Sequence, residues 1–318
     1  MRWLAKAAVL KGVSVLPRPE RVSYALARYV SGSLPVSEAQ LRRKFARARV
    51  HLAAYRAHGG HDGVGDAVFY EFGAGWDLAI QLSYWCLGVN RQLLVDIRPN
   101  VRLALVQFTL ERLHRLRPAL EAKAGEALRD PGPGGVSSAG DLEGRFGIAY
   151  FAPCDARRTG LDACSVDFVS NTATLEHIPA ADLVPILREC RRLLRPGCVM
   201  SSRIDLQDHY SYSDPSITQY NFLRYSERSW RRLTPRTHYQ NRLRRPDYLQ
   251  AFEDAGFEIL EERCNAPTPE DLEVLQKLGV HPEFRARYSL EDLGVRGMNV
   301  VARSRSPNAV QKLGDLGR

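Results

Sequence analysis

Short apolar runs alternate with longer segments of helical periodicity through most of the chain. Short apolar runs lie within 68–72, 91–95, 147–151, 164–171 and 198–204. Between the runs, apolar residues recur every three or four positions, as at Leu103, Val106 and Leu110. Short apolar runs are typical of buried strands, and the wider spacing is typical of helices. The alternation predicts an α/β fold: a Rossmann-like, doubly wound, mainly parallel sheet with helices on both faces.

The first apolar run ends in an acidic residue and a turn with two glycines. The segment reads Glu71-Phe72-Gly73-Ala74-Gly75-Trp76-Asp77, and a helical pattern follows from Leu78. Glycine lets the backbone approach a ligand closely, and a helix N-terminus offers unpaired N–H groups. Leu78 stands where the dinucleotide fingerprint has its third glycine. The turn therefore predicts a nucleotide-like ligand.

Polar residues also follow the next three runs. Asp96 ends the second run, about twenty residues beyond the glycines, where a carboxylate can take ribose hydroxyls. Asp155 and Ala156 follow the third run, and Asn171 ends the fourth. Ligands of open parallel sheets bind beyond the carboxyl ends of the strands. We therefore expect these residues to meet at one edge of the sheet.

This ordered set resembles the successive motifs of class I S-adenosylmethionine-dependent methyltransferases. Leu175-Glu176-His177-Ile178 and Leu194-Arg195-Pro196-Gly197 continue the series, and the likeness covers about residues 67 to 262. The chain is also similar to uncharacterised bacterial methyltransferase-domain proteins. The resemblance implies S-adenosylmethionine as cofactor and an antiparallel edge strand near 298–302. It implies these cofactor-binding residues: Glu71, Gly73, Ala74, Gly75, Asp77, Asp96, Asp155, Ala156 and Asn171.

The resemblance also implies which part of the cofactor each residue holds. The glycine turn, with Glu71 and Asn171, would hold the methionine part, and Asp96 the ribose. Asp155 and Ala156 would lie beside the adenine. Asp77 replaces a commoner glycine, so it either caps the following helix or touches the cofactor.

Methyl transfer from a sulfonium is a direct displacement, so a neutral nucleophile also needs a proton acceptor. Asp208 and His209, just past the run at 198–204, and His177, before a predicted helix, are the candidate catalytic residues. Each has a structural alternative, which is the commoner role of such residues. An Asn/Asp-Pro-Pro-Tyr pattern is absent after the run at 164–171. This absence disfavours nucleic-acid bases and favours an oxygen acceptor on a small molecule, sugar or lipid.

Two other functions remain open from sequence. The chain could be a nucleoside-binding regulatory protein that has lost methyl transfer. It could also be an NAD-dependent oxidoreductase, which the missing third glycine and the Leu-Arg-Pro-Gly turn disfavour.

The 318 residues divide into a basic helical cap at 1–66, a cofactor domain at 67–303 and a polar tail at 304–318. The cap includes a short helix ending near Tyr29, and its last residues form a glycine-rich hinge at 59–65. An insertion at 205–245, rich in Tyr, Ser and Arg, interrupts the cofactor domain and is predicted to recognise the acceptor.

The net charge of +9 is concentrated near the N-terminus. Residues 1–66 hold twelve Lys or Arg against four acids, a balance of +8. Such a segment can attract an anionic membrane surface, a phosphorylated substrate or nucleic acid, or can be a solvated helix face. The arginines at 224–245 could bind an anionic acceptor. We expect a cytoplasmic protein, with peripheral contact to the inner face of the membrane through the basic N-terminus.

Cysteine usage gives no sign of a metal. The six cysteines are scattered, with no Cys-x-x-Cys pair and no histidine at zinc-site spacing. The sequence therefore predicts a reducing compartment and no metal site.

Overall fold

The computed structural model describes residues 3–16, 22, 24–25, 28, 34–59, 63–235 and 239–305. Most of the helix predicted to end near Tyr29, residues 60–62 of the hinge, and the tail from 306 lie outside the described residues.

A seven-stranded sheet forms the centre of the structure. Its strands are β1 (Val68–Phe72), β2 (Arg91–Val95), β3 (Ile148–Phe151), β4 (Val166–Thr172), β5 (Leu194–Asp205), β6 (Phe257–Cys264) and β7 (Gly297–Ser304). The order is β3-β2-β1-β4-β5-β7-β6. The first five strands pair in parallel, and β7 is antiparallel to both neighbours. The α/β prediction with an antiparallel strand is confirmed; β7 lies one place in from the edge, and β6 is outermost.

Eleven α-helices are described. They are α1 (Trp3–Ser14), α2 (Glu38–His58), α3 (Ala79–Cys86), α4 (Leu103–Ala124), α5 (Ala139–Phe146), α6 (Ala180–Leu193), α7 (Glu227–Leu233), α8 (Arg245–Asp254), α9 (Pro269–Leu278), α10 (Pro282–Arg285) and α11 (Leu290–Gly294). Short 3₁₀ helices occupy Leu175–His177 and Asn221–Arg224. None of the described helices is long and apolar enough to cross a membrane.

The helices cover both faces of the sheet because successive strand residues point to opposite faces. Phe69 and Phe168 pack in one core cluster with α2, α3, α4 and α5. Their neighbours Tyr70 and Val169 pack in a second cluster with α6 and α8. The direction of winding reverses between β1 and β4, and the crevice at such a reversal is where open α/β sheets bind ligands.

Helix α2 lies against the sheet beside this reversal. The helix starts at the capping box of Ser37 and Gln40 that the sequence predicts. Tyr55 makes ring contacts with Phe69 and Phe168 at 5.2 and 5.5 Å. This docking carries the polar side of α2 over the glycine turn.

Helix α1 packs on the insertion instead. The Trp3 ring lies 5.5 Å from Tyr210 and 6.4 Å from Trp230, and its backbone N–H donates to Asp214 Oδ2 at 2.6 Å. The two described helices of the 1–66 segment thus contact different parts of the protein. A single cap with its own boundary remains a prediction.

Arg244 joins the end of the insertion to the C-terminal segment. The side chain is completely buried, and its guanidinium donates to the carbonyl oxygens of Leu206, Leu293 and Val295. Burial lowers the pKa of Arg244 to about 10. Arg244 therefore stabilises the packing of these segments and is not available to bind an anion.

Candidate active site

A cavity of about 540 Å³ opens at the carboxyl ends of β1, β2 and β4. Five of the nine predicted cofactor-binding residues line it: Gly73, Gly75, Asp96, Asp155 and Ala156. Its other walls include Trp76, Asn100, Thr174, His177 and Ile178. The strand-end residues therefore meet at one edge of the sheet, as their positions predict.

The two glycines of the turn serve different purposes. Both have φ = +76°, a conformation that side chains disfavour. A Cβ on Gly73 would lie 2.5 Å from Thr174 Cγ2, whereas one on Gly75 would meet nothing within 4 Å. Gly73 thus allows the close packing of the turn on Thr174, and Gly75 leaves an open approach to the backbone.

A smaller cavity of about 190 Å³ lies under α2, next to the same turn. The predicted residues Glu71, Ala74 and Asp77 line it together with Lys44 and Arg47 of α2, which the sequence did not indicate. Lys44 Nζ lies 2.8 Å from both carboxylate oxygens of Asp77. The pocket therefore offers both cationic and anionic groups.

Two buried polar side chains add to this smaller cavity. Gln81 is 1% exposed and makes no side-chain hydrogen bond of good geometry within the described ranges. Burial raises the pKa of Glu71 to about 8. An amino acid, with its ammonium and carboxylate, would supply partners for these groups. Asp77 also accepts a hydrogen bond from the Ala79 N–H at 3.1 Å, so it caps α3 as well as contacting Lys44.

Asp96 is held at the end of β2 with its carboxyl nearly buried. Tyr150 Oη donates to Asp96 Oδ2 at 3.2 Å. Burial raises the pKa of Asp96 to about 7, although hydrogen bonds from Tyr150, Asn100 and the Ala74 backbone oppose the rise. The carboxyl is therefore poised to lose its proton when hydroxyl donors bind.

Asp155 lies at the rim of the larger cavity. Its carboxylate is bound by the Arg157 guanidinium at 2.7 Å, which also binds Asp182 at 2.8 Å. The hydrogen bonds from Arg157 lower the pKa of Asp155. The carboxylate therefore stays ionised at the place where the resemblance puts the adenine.

Three predicted residues, Asn171, Asp208 and His209, do not line either cavity. Asn171 is completely buried and donates from Nδ2 to Ser202 Oγ at 2.9 Å. Asp208 is also completely buried, and its oxygens accept from the Tyr210 N–H and from Asn221 Nδ2. Asp208 therefore orders the insertion, and we do not include it among the residues that contact an acceptor.

The candidate catalytic histidines lie side by side, and His177 is the one that lines the larger cavity. The ring centroids of His177 and His209 lie 4.9 Å apart. His177 Nδ1 is 2.7 Å from the Tyr239 carbonyl oxygen, and His209 Nε2 is 3.6 Å from Asp205 Oδ2. Glu176 lies next to both rings, although the sequence analysis did not single it out. The cluster combines imidazoles with buried carboxylates.

Residues 129–201 match the family model described as a methyltransferase domain. No curated protein matches the chain. Among solved structures, a geranyl diphosphate methyltransferase in complex with S-adenosylmethionine is 17% identical, with a TM-score of 0.45, covering 86% of this chain and 93% of that one.

Two further structures have similar values. A geranyl diphosphate C-methyltransferase from Streptomyces coelicolor is 16% identical, with a TM-score of 0.44, covering 82% of this chain and 80% of that one. An S-adenosylmethionine-dependent methyltransferase from Leishmania major is 13% identical, with a TM-score of 0.44, covering 94% and 82%. Likenesses this distant say nothing about the acceptor.

The methyltransferase-domain match at residues 129–201 agrees with the motifs, and the protein is an S-adenosylmethionine-dependent methyltransferase. Its cofactor is S-adenosylmethionine. The described residues fit that molecule, because the buried Gln81 amide and the ionic groups beside it suit an amino acid, while Asp96 suits ribose hydroxyls. The oxidoreductase and the inactive regulatory protein are correspondingly disfavoured.

We expect cofactor binding to depend on the protonation of Asp96. Ribose hydroxyls donate to the ionised carboxylate, so binding lowers a pKa that stands at about 7 in the free protein. The affinity for S-adenosylhomocysteine should therefore fall as the pH drops below 7, and binding at pH 6.5 should release protons. Calorimetry in two buffers of different ionisation enthalpy measures both effects.

An Asp96→Asn variant is the control for this prediction, because Glu71 could also release a proton. The variant should lose the Asp96 share of the proton release and bind about 1.5–3 kcal/mol more weakly, the scale of a hydrogen bond to a charged group. Equal proton release in both proteins would contradict the assignment to Asp96.

Proposed function

We propose that the methyl group is transferred to an oxygen of a small-molecule, sugar or lipid acceptor that enters the larger cavity beside His177. The observation that supports this proposal is the contact of two imidazoles at the cavity wall, with Asp205 next to the second ring. A hydroxyl is a neutral and weak nucleophile, so a nearby proton acceptor favours its reaction, and histidine is the usual one.

His177 is the histidine that faces the cavity. The Tyr239 carbonyl can only accept, so His177 Nδ1 donates and the neutral ring carries its lone pair on Nε2. Desolvation and then the His209 ring lower the pKa of His177, which keeps the ring neutral at pH 7. Nε2 is therefore able to take a proton.

When bound, S-adenosylmethionine supplies a reactive methyl group and leaves as S-adenosylhomocysteine. The acceptor hydroxyl loses its proton to His177 Nε2 and gains the methyl group on oxygen. The Asp205 carboxylate, which lies beside the His209 ring, raises the pKa of His177 and so stabilises the positive charge on that ring. The proton then passes to water.

An anionic acceptor receives less support from the arginines at 224–245. Arg242 and Arg244 are buried, and their guanidinium groups donate to backbone carbonyls, with Glu227 as a further partner of Arg242. Arg236 lies outside the described residues. Arg228 and Arg232 of α7 are exposed, whereas Arg231 of the same helix is paired with Glu227.

Peripheral membrane contact through the N-terminus also remains a proposal. Helix α1 and the two residues after it expose four apolar side chains: Leu4, Val9, Val15 and Leu16. Lys6 and Lys11 on the same helix are positively charged. Apolar and basic groups together are typical of a segment that lies on an anionic lipid surface.

Incubation with S-adenosylmethionine and panels of hydroxylated acceptors, each beside its deoxy analogue, tests the proposed chemistry. Mass spectrometry should find methylation only of the hydroxylated member. His177→Ala should lower kcat by about 100-fold or more, the contribution of a positioned proton acceptor, and should unfold at the same urea concentration as the wild type. His114→Ala, at an exposed histidine bound to Asp130, is the matched control. Methylation at carbon, or full activity of His177→Ala, would refute the proposal.

A further inference from the structure

We propose that Glu176, His177 and His209 bind one divalent first-row transition metal ion at the edge of the cofactor cavity. Each residue offers one ligand atom, and these atoms all lie within 4.8 Å of one another. Two ligand atoms on one ion are at most about 4.2 Å apart, twice a metal–ligand bond of about 2.1 Å. Because three ligand atoms in a tetrahedral site lie about 3.4 Å apart, the side chains would have to close by up to about 1.4 Å to complete the site.

The buried carboxylate of Glu176 is the strongest evidence that a cation binds here. The residue is 1% exposed. Its Oε1 accepts the Asp205 N–H at 3.3 Å, while Oε2 has no hydrogen-bond partner in the part of the chain that the structure describes. A buried carboxylate oxygen without a partner is costly, and such groups are usually paired or bound to a metal. A cation between this carboxylate and the two rings would satisfy it.

His177 is oriented as metal-binding histidines usually are. The ring nitrogen that does not bind the metal commonly donates to a carbonyl or carboxylate, which fixes the tautomer. His177 Nδ1 makes this contact with the Tyr239 carbonyl oxygen at 2.7 Å. Nε2 is therefore left as the ligand atom, on a residue that lines the cavity.

The charges around the cluster favour a cation. Glu176 and Asp205 contribute two carboxylates, and Asp205 Oδ2 lies 3.6 Å from His209 Nε2. The nearby Arg203 guanidinium is directed to the carbonyl oxygens of Ile204 and Met298 rather than to these carboxylates. When both carboxyl groups are ionised, their two negative charges exceed the single positive charge of Arg203.

The ligand types indicate the kind of ion. Two imidazoles and one carboxylate suit manganese, iron, cobalt or zinc, whereas magnesium and calcium prefer oxygen ligands. Three protein ligands also leave coordination positions for a further group. The spacing of the histidines along the chain does not indicate this site, because it is not the spacing of zinc sites.

The role of the ion, unlike its binding, rests on the proposed function. An acceptor hydroxyl that coordinates the ion becomes more acidic, as metal-bound water does. The coordinated oxygen then loses its proton to water, and the ion replaces His177 as the group that promotes deprotonation. The chemistry at oxygen is otherwise the same.

Cobalt(II) titration of the full chain, saturated with S-adenosylhomocysteine and without acceptor, tests the site. We expect one ion per chain, detected by calorimetry and by the visible absorption of bound cobalt. His177→Ala and His209→Ala should each weaken binding by about 100-fold or more, because loss of an outer partner alone costs 10–100-fold. Glu176→Gln should weaken it as well, and His114→Ala should bind like the wild type. An unfolding transition like that of the wild type shows that each variant is folded.

Absence of saturable cobalt or zinc binding by the wild type would overturn the inference. So would full affinity in both histidine variants. If cobalt does not bind but chelator-treated protein still methylates hydroxyls, only the metal inference fails. If cobalt binds as expected and no hydroxyl is methylated, the site stands and the proposed function fails.

Discussion

Replacement of Arg244 by alanine should lower the free energy of unfolding by about 4 kcal/mol, because at least three buried carbonyls lose a partner at about 1–3 kcal/mol each. The guanidinium reaches Leu206, Leu293 and Val295, which belong to segments far apart in the chain. Part of this loss is offset because the variant no longer has to bury a positive charge. Urea unfolding, with the midpoint and slope measured together, gives the value.

Arg231→Ala is the matched control, since its side chain is 75% exposed and its partner Glu227 is one helical turn away. Such pairs contribute about 0.3–0.5 kcal/mol. Arg244→Lys should lie between the two, because one ammonium cannot reach all three carbonyls. A loss below about 1 kcal/mol for Arg244→Ala, no more than one ordinary hydrogen bond, would show that water replaces the guanidinium.

The second large effect is expected at Gly73. Gly73→Ala adds about 1–2 kcal/mol for a side chain at positive φ and about 1–3 kcal/mol for the clash of its Cβ with Thr174. We therefore expect a loss of about 3 kcal/mol in unfolding free energy. Because Gly73 lines both cavities, the affinity for S-adenosylhomocysteine should fall too. Unfolding and calorimetric titration measure the two losses separately.

Gly125 separates the two causes. It has φ = +72°, and an added Cβ would meet nothing within 4 Å, so Gly125→Ala carries only the conformational cost. The amount by which Gly73→Ala lowers the unfolding free energy beyond Gly125→Ala then measures the clash with Thr174. Adding Thr174→Ala to Gly73→Ala should recover most of that difference. Equal losses at both glycines would show that Thr174 moves aside without cost.

The residues that could be predicted are those whose position follows from the chain alone. Gly73, Gly75, Asp96 and Asp155 each end or follow a strand, and parallel strands bring such ends to one edge. Asn171 also ends a strand, yet its side chain is buried against Ser202. The strand pattern thus predicts the edge on which a residue lies but not the direction of its side chain.

The residues that were missed depend on tertiary packing. Lys44 reaches Asp77 only because α2 docks beside the glycine turn, and its own helix gives no sign of that surface. The different roles of two predicted neighbours also depend on packing. Asp208 orders the insertion, whereas the ring of His209 contacts His177. An irregular segment has no periodicity from which this difference could be read.

The place of β7 between β5 and β6 has a consequence for synthesis on the ribosome. Among the described strands, β6 pairs only with β7, so it has no partner until residues 297–304 have emerged. Until then the edge of β5 is also unpaired, and exposed strand edges promote aggregation. The parallel strands β1 to β5, which carry the cofactor crevice, can assemble earlier. A nascent chain halted before β7 should therefore expose an aggregation-prone strand edge beside a nearly formed cofactor site.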